Sequence, residues 1–338
     1  MALIDKFKRP IKDLRISVTD RCNFRCPYCM PAEIYGESYQ FLPKNKILTF
    51  EEITRLTKIF VDLGVSRIRI TGGEPLLRKD LPVLINQIAS INNISDLSLT
   101  TNGYLLERLS QELVDSGLNR VTVSLDTLDQ EVFKQMSGRN LDINKILTGI
   151  ESASSKGLTP IKINCVVKRN VNEKSILGLI NYFKNTQHII RFIEYMDVGN
   201  LNKWDLSEVV SSKEILEIIK KDFSVQPLDA SFKGEVATRY SYLSDDGIKG
   251  EIGIISSVTN PFCSSCTRAR LTTDGKLVTC LFSNSGLDLK KEIRAGKNDK
   301  YIKEIITNYW EKRTDRYSEL RSQKTSKNKK IEMYQLGG

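Results

Sequence analysis

The chain has 338 residues, 40% hydrophobic and 27% charged, with a formal charge of +10 at neutral pH. That length and composition suit a soluble protein with one large α/β domain and an appended module. With no signal-peptide core and no apolar run near the roughly 18 residues a membrane span needs, a cytoplasmic location without membrane insertion is expected.

From residue 13 to 196 the sequence repeats a short strand-like run followed by a helical pattern. The strands are predicted at 14–19, 67–71, 97–101, 121–125, 161–167 and 189–195. Helices are predicted between them at 50–63, 81–90, 107–116, 143–156 and 174–184. Six consecutive βα units argue for a parallel sheet curled into an incomplete (βα)6 TIM-like barrel. Beyond about residue 199 the pattern changes to a helix at 213–221 and strands at 239–243, 251–256, 270–272 and 277–280. Two more helices follow at 287–295 and 300–310. This reads as a smaller C-terminal α+β module closing the barrel opening, which divides the chain into 1–200 and 201–338.

Buried parallel strands usually read as continuous apolar runs, but five of these six alternate. Leu14, Ile16 and Val18 share one face of the first strand, while Arg15, Ser17 and Thr19 share the other. Arg67, Arg69 and Thr71, then Ser98 and Thr100, then Thr122 and Ser124, then Lys162 and Asn164 continue the polar set. If helices cover the apolar face, the polar face lines a wet, partly cationic lumen instead of the packed interior of a closed barrel.

Six of the seven cysteines fall into two groups of three, Cys22, Cys26, Cys29 and Cys263, Cys266, Cys280. Such grouping in a reducing compartment points to metal or cluster ligation. Cys165 stands alone in an apolar run and reads as core, and the one histidine, His188, offers little for acid–base chemistry. Spacings of four and seven would also align the first group on a helix face, but Pro27 and Pro31 oppose a continuous helix. Zinc closes a structural site with four ligands, and neither group has a fourth Cys or His nearby. An iron–sulfur cube held by three cysteines keeps one iron open to a ligand.

The loop Cys22-Asn23-Phe24-Arg25-Cys26-Pro27-Tyr28-Cys29, directly after the first strand, resembles the signature of the radical S-adenosylmethionine (SAM) superfamily. Gly72-Gly73-Glu74-Pro75 after the second strand resembles its SAM amino-group site. The resemblance implies that Tyr28, Gly73, Ser124 and Met196 contact SAM, whose reductive cleavage yields a 5′-deoxyadenosyl radical.

Around the second group, residues 260–271 with Asp274-Gly275-Lys276 and Cys280 resemble the GTP 3′,8-cyclase family of molybdenum cofactor biosynthesis. Phe41-Leu42-Pro43 and the stretches 71–77, 191–196 and 234–240 resemble it too, as does Gly337-Gly338, so the likeness spans almost the whole chain. Departures are Lys79 where Arg is common, Thr267 where Asn is common, and Asn170 where Gly is usual.

The resemblance implies two [4Fe-4S] clusters, each on three cysteines. It also implies GTP contacts from Arg15, Arg69, Thr100, Lys162, Arg268, Ala269 and Arg270. A low-potential electron donor, product transfer to cyclic pyranopterin monophosphate synthase and a possible homodimer complete the expected partners. The +10 charge agrees with an anionic substrate. Two other readings stand beside this one: a radical SAM enzyme with an auxiliary cluster acting on a peptide, and a basic zinc-containing nucleic-acid-binding protein. No helix-turn-helix and no interleaved basic and aromatic residues support the latter. The Gly-Gly tail is expected to thread into the site, and the cluster Lys324, Lys327, Lys329, Lys330 to form a basic segment.

Overall fold

The computed structural model describes residues 3–232, 234–321 and 329–337; Lys324, Lys327 and Gly338 lie outside the described residues. The six expected parallel strands are present as β1 (Asp13–Ser17), β2 (Arg67–Thr71), β3 (Asp96–Thr101), β4 (Arg120–Ser124), β5 (Lys162–Val167) and β6 (Ile189–Glu194). Between them run α1 (Phe50–Asp62), α2 (Leu81–Ala89), α3 (Leu106–Asp115), α4 (Gln130–Ser137), α5 (Asn144–Ser155) and α6 (Ser175–Phe183). The apolar strand residues, among them Leu14, Ile16, Ile68, Ile70, Leu97, Leu99, Val121, Val123, Ile161 and Ile163, are at most 1% exposed and belong to one core cluster. Burying each such side chain contributes about 1.5–3 kcal/mol, which decides which strand face meets the helices. Cys165 is buried in that core.

Helix starts follow local chemistry. Thr49 and Glu52 form a reciprocal capping box at α1, and Asp129 accepts from the amides of Glu131 and Val132 at α4. Sequence periodicity did not reveal α4, because two turns of Gln-Glu-Val-Phe-Lys-Gln-Met-Ser offer too few apolar repeats.

The later sequence builds α7 (Ser212–Ile219), β7 (Phe223–Leu228), β8 (Thr238–Ser244), β9 (Lys249–Ile255), β10 (Arg268–Leu271), β11 (Lys276–Val278), β12 (Leu287–Asp288), α8 (Leu289–Arg294), α9 (Asp299–Glu311) and α10 (Met333–Leu336). Its strands extend the first sheet at both edges. β9 pairs in parallel with β6, and β10 pairs in parallel with β1. The order is β12-β11-β10-β1-β2-β3-β4-β5-β6-β9-β8-β7, so eight neighbouring strands run parallel, flanked by the antiparallel pairs β7–β8 and β11–β12. Among the described residues β9 and β10 do not pair with each other, and the connection between them carries Cys263 and Cys266. The outermost strand β7 contains Pro227, which an edge tolerates and a central ladder does not; that proline is also why the sequence pattern did not read as a strand. Among the described residues no helix is long and apolar enough to cross a membrane.

Candidate functional site

The polar strand faces line an elongated cavity of about 280 Å³. Tyr28, Ser124 and Met196 lie on it, as do Arg15, Arg69, Thr100, Lys162, Arg268 and Arg270, together with all three cysteines of the second group. Nine of the eleven expected ligand contacts therefore share one surface. Gly73 and Ala269 do not present side chains to it. Ala269 is fully buried in the core cluster, opposite Leu14 of β1, because alternation along β10 turns Arg268 and Arg270 inward and the residue between them outward. At Gly73 the chain passes so close to the Arg21 carbonyl that a Cβ would collide with it, and its N–H donates to the Thr19 carbonyl at 2.7 Å.

The cavity's charge is unbalanced. Near the strand starts, Arg67 binds Asp13 through two bonds of 2.6 and 2.9 Å, and Arg120 binds Asp96 at 2.7 and 2.5 Å. Arg15, Arg69, Lys162, Arg191, Arg268 and Arg270 have no carboxylate within ion-pair distance among the described residues. Among the described residues Arg69 donates only to the hydroxyls of Thr100 and Thr122, each at 3.1 Å, and Arg191 to Asn164 Oδ1 at 2.9 Å and the Thr122 hydroxyl at 3.5 Å.

Burial, reinforced by Arg270, Arg69 and Arg268, pushes Arg15 well below its ordinary value. Burial and the neighbouring Arg191 bring Lys162 down to about 8, while burial with Arg69 and Arg120 brings Arg191 down to about 9. Arg270 falls to about 10 through burial and Arg268. Lys162, Arg191 and Arg270 stay protonated at neutral pH, so the lumen concentrates positive charge at an energetic cost that a bound anion relieves. Arg191 was not among the expected contacts. β6 reads Ile-Ile-Arg-Phe-Ile-Glu, and one cation among apolar residues hides the alternation that marked the other strands.

The first cysteine loop is braced by Arg25, whose guanidinium donates to the carbonyls of Tyr35, Cys22 and Phe24. Burial, and then the Glu74 carboxylate, pushes the Cys22 thiol up to about 12; burial and Cys22 do the same to Cys29. Cys26 rises further through burial and its neighbours Cys22 and Cys29. Cys22 Sγ accepts from the Phe24 amide at 3.4 Å and lies 3.9 Å from Asn102 Nδ2. Three thiols close enough to raise one another, with amide donors near the Cys22 sulfur, fit an iron–sulfur cluster, whose ligand sulfurs are commonly hydrogen-bonded. Tyr28, inside this loop, donates to Asp126 Oδ2 at 2.8 Å, and burial raises Asp126 to about 6. Glu74, raised by burial to about 7, ties this loop region to β3 by accepting from Thr101 Oγ1 and the Asn102 amide at 2.7 Å each.

The second group differs. Cys263 and Cys266 sit on a single 3-10 turn before β10, and Cys280 follows β11. Burial alone would raise Cys266, but Arg268 and Arg313 outweigh it and hold the thiol down at about 6. Cys280 is pushed up to about 12 by burial and then Asp315. Arg313 Nη2 donates to Cys266 Sγ at 3.2 Å; Arg9 also lines the cavity, and its Nη2 is buried without a partner among the described residues. Thiols, a thiolate-stabilising cation and a buried donor without a partner among the described residues suit a second sulfide-bearing cluster. Among the described residues no three His, Cys, Asp or Glu side chains converge on one metal ion; a cluster with one ligand per iron does not require that convergence.

The remaining expectations resolve locally. Thr267 donates to Asp13, on the strand-start side of the cavity. His188 accepts from the Ile161 amide at 3.4 Å and packs on Phe183. Residues 329–337 return across the barrel mouth. Tyr334 packs edge-on against Tyr35 and its hydroxyl lies 3.1 Å from that of Tyr39, while Gly337 contributes its carbonyl to Arg270. At Gly337, with φ of 73°, an added Cβ would strike Thr71.

Two family models match. The Radical SAM superfamily covers residues 16–183, and Molybdenum Cofactor Synthesis C covers 188–319. GTP 3′,8-cyclases of Staphylococcus aureus (strain Mu3) and Staphylococcus haemolyticus (strain JCSC1435) are each 48% identical over 99% of this chain and 98% of their own. The chain belongs to the GTP 3′,8-cyclase family. Its fold likeness extends to Streptococcus suis SuiB, with a TM-score of 0.58 at 13% identity over 95% of this chain and 70% of that one. SuiB bound to S-adenosylmethionine matches at a TM-score of 0.52 and 17% identity, over 64% of this chain and about half (49%) of the other.

Proposed function

We propose that the chain converts GTP to (8S)-3′,8-cyclo-7,8-dihydroguanosine 5′-triphosphate, the first step of molybdenum cofactor biosynthesis. The observation that carries this reading is the set of six lumen cations, Arg270 buried and the other five half-buried, that have no carboxylate partner among the described residues and line a cavity that meets the second cysteine triplet. A nucleoside triphosphate brings about four negative charges, and charge-assisted hydrogen bonds contribute roughly 1.5–3 kcal/mol each.

Arg15, Arg69, Thr100, Lys162, Arg268 and Arg270 hold the nucleotide by side chain, and Ala269 by its main chain. Tyr28, Gly73, Ser124 and Met196 hold SAM. Cys22, Cys26 and Cys29 carry one [4Fe-4S] cluster, and Cys263, Cys266 and Cys280 carry the second. When bound, the first cluster and SAM supply a 5′-deoxyadenosyl radical able to take a hydrogen from ribose. The chain's own residues select which hydrogen is presented: the cations fix the phosphates, the strand hydroxyls fix the sugar, and the tail at Gly337 narrows the mouth. Fixing one geometry among many is worth orders of magnitude in rate.

Residues 1–200 form the SAM-binding barrel part and 201–338 the module bearing the second cluster. The reading calls for a low-potential electron donor and for cyclic pyranopterin monophosphate synthase as recipient of the product, in the cytoplasm.

Anaerobic incubation of the cluster-loaded protein with SAM, a strong reductant and GTP, read by mass spectrometry, tests this. The expected result is 5′-deoxyadenosine together with a cyclised GTP product. Deoxyadenosine without a GTP-derived product keeps the radical class and reopens the substrate, with a peptide as the next one to test; neither product from loaded protein overturns the reading.

A further inference from the structure

Two arginines outside the proposed ligand contacts reach the second cysteine triplet from distant parts of the chain. Arg9 precedes β1 and is 2% exposed; Arg313 follows α9 and is 5% exposed. Arg313 donates from Nη1 to the Cys266 carbonyl at 2.9 Å and from Nε to Asp315 Oδ2 at 3.0 Å. Its Nη2 reaches both Cys266 Sγ at 3.2 Å and the Thr279 carbonyl at 3.0 Å. Arg9 donates from Nη1 to the carbonyls of Cys263 and Asp315, at 2.8 Å each, and from Nε to Asp5 at 2.5 Å. Trp310 locks the pair together, since its indole N–H donates to the Arg9 carbonyl at 3.2 Å and its ring lies 4.7 Å from the Arg313 guanidinium carbon.

Between them the two guanidiniums grip the main chain at Cys263, at Cys266 and at the residue before Cys280. Every segment that carries a ligand is thus tied to one buried network. Buried ion pairs add little net stability, so stability alone is a weak reason for burying two arginines here. Arg313 commits Nε, Nη1 and Nη2 to protein acceptors and Arg9 commits Nε and Nη1, so among the described residues only Arg9 Nη2 is left open to a ligand. The bond to Cys266 Sγ has an electronic consequence as well. A cation donating to a ligand sulfur favours the more negative, reduced state of a cluster.

We propose that Arg313, braced by Arg9, is a positioning residue for the second cluster, holding its three cysteines in register before iron arrives and keeping its reduction potential up through the bond to Cys266 Sγ. This rests on the two-cluster reading above.

The test uses the full chain, reconstituted anaerobically as wild type, Arg313→Gln and Arg313→Lys. Iron content is measured, and the clusters are titrated with dithionite under EPR, each reduction adding one electron and no proton to a cluster. In Arg313→Gln the second site is expected to lose iron or, where loaded, to titrate at a lower potential, while the first cluster's signal stays in place as the control for folding. Arg313→Lys, which keeps the charge without the fork, is expected to recover part of the shift and to load incompletely. Wild-type iron content and both wild-type potentials in Arg313→Gln overturn the proposal. If that variant does not fold, wild-type loading and potentials in Arg313→Lys overturn it instead. A wild-type chain that loads a single cluster sinks both this inference and the two-cluster reading, whereas unchanged variants beside a two-cluster wild type sink this inference alone.

Discussion

The two cysteine triplets solve one problem in opposite ways. Cys22, Cys26 and Cys29 share a single loop, held by the arginine inside it, and burial pushes all three thiols up. Cys263, Cys266 and Cys280 come from two segments separated by β10 and β11. Arg268 and Arg313 outweigh burial and hold the Cys266 thiol down at about 6, while Arg9 donates to the Cys263 carbonyl. On the two-cluster reading the local triplet would give up its protons only when iron binds, since metal binding releases them. The assembled triplet enters neutral pH with one sulfur already largely thiolate. Assembly from distant segments therefore gives control over charge at a sulfur that a short loop does not have.

The sharpest way to break this comparison is to remove one cysteine from each group. Cys26→Ala is expected to abolish 5′-deoxyadenosine formation altogether. Cys263→Ala is expected to keep SAM cleavage while cyclised GTP falls on the order of a hundredfold or more, the cost of a misplaced substrate. If deoxyadenosine also disappears in Cys263→Ala, the division of labour between the triplets is wrong.

Arg69→Ala removes one cation of the lumen between them. Losing a charge-assisted contact is expected to raise the KM for GTP roughly ten- to a hundredfold. Relief of repulsion is expected to raise the melting temperature of the nucleotide-free protein by about 1–3 °C. A KM within a factor of two of wild type, in steady-state assays, removes Arg69 from the site.

Lys162 sharpens the picture through pH. Held down at about 8 by burial and Arg191, it is charged below that value and neutral above. GTP affinity is therefore expected to be level up to about pH 8 and to weaken as pH rises further, whereas Lys162→Arg is expected to move the onset of that weakening upward, toward the value of about 9 at which Arg191 loses its own proton. The same depressed value means the folded chain binds fewer protons than the unfolded one between about 8 and the ordinary lysine value. On this account stability without nucleotide rises with pH across that window. Binding isotherms and denaturation across pH 6.5–9.5 separate the two trends.

The smallest effect concerns the tail that spans both regions, anchored by Tyr334 near the first loop and by Gly337 at Arg270. Tyr334→Phe deletes the hydroxyl contact with Tyr39 and is expected to cost about 1 kcal/mol in denaturant unfolding. Unchanged unfolding in this variant means that ring packing alone holds the tail.

The barrel and its first triplet were legible because their information is local. Strand alternation separates Leu14 and Ile16 from Arg15, and three cysteines on a proline-broken loop declare themselves within a few residues. α4 and β7 were not legible: one is too short for periodicity to register, and the other carries a proline that only an edge strand accepts. Arg191 escaped because apolar neighbours on both faces of β6 mask its direction. The sequence by itself therefore singled out the candidate residues: the two cysteine triplets, the loop around the first of them and most of the cations that line the cavity. Only the tertiary structure decided that β9 and β10 join opposite edges of the parallel array and that Ala269 turns away from the cavity. It alone brought Arg9, 254 residues from Cys263, and Arg313 together on the second triplet. The physical reason is range: backbone alternation and loop closure act over a handful of residues, whereas a buried charge answers to whatever the folded chain brings within a few ångströms of it.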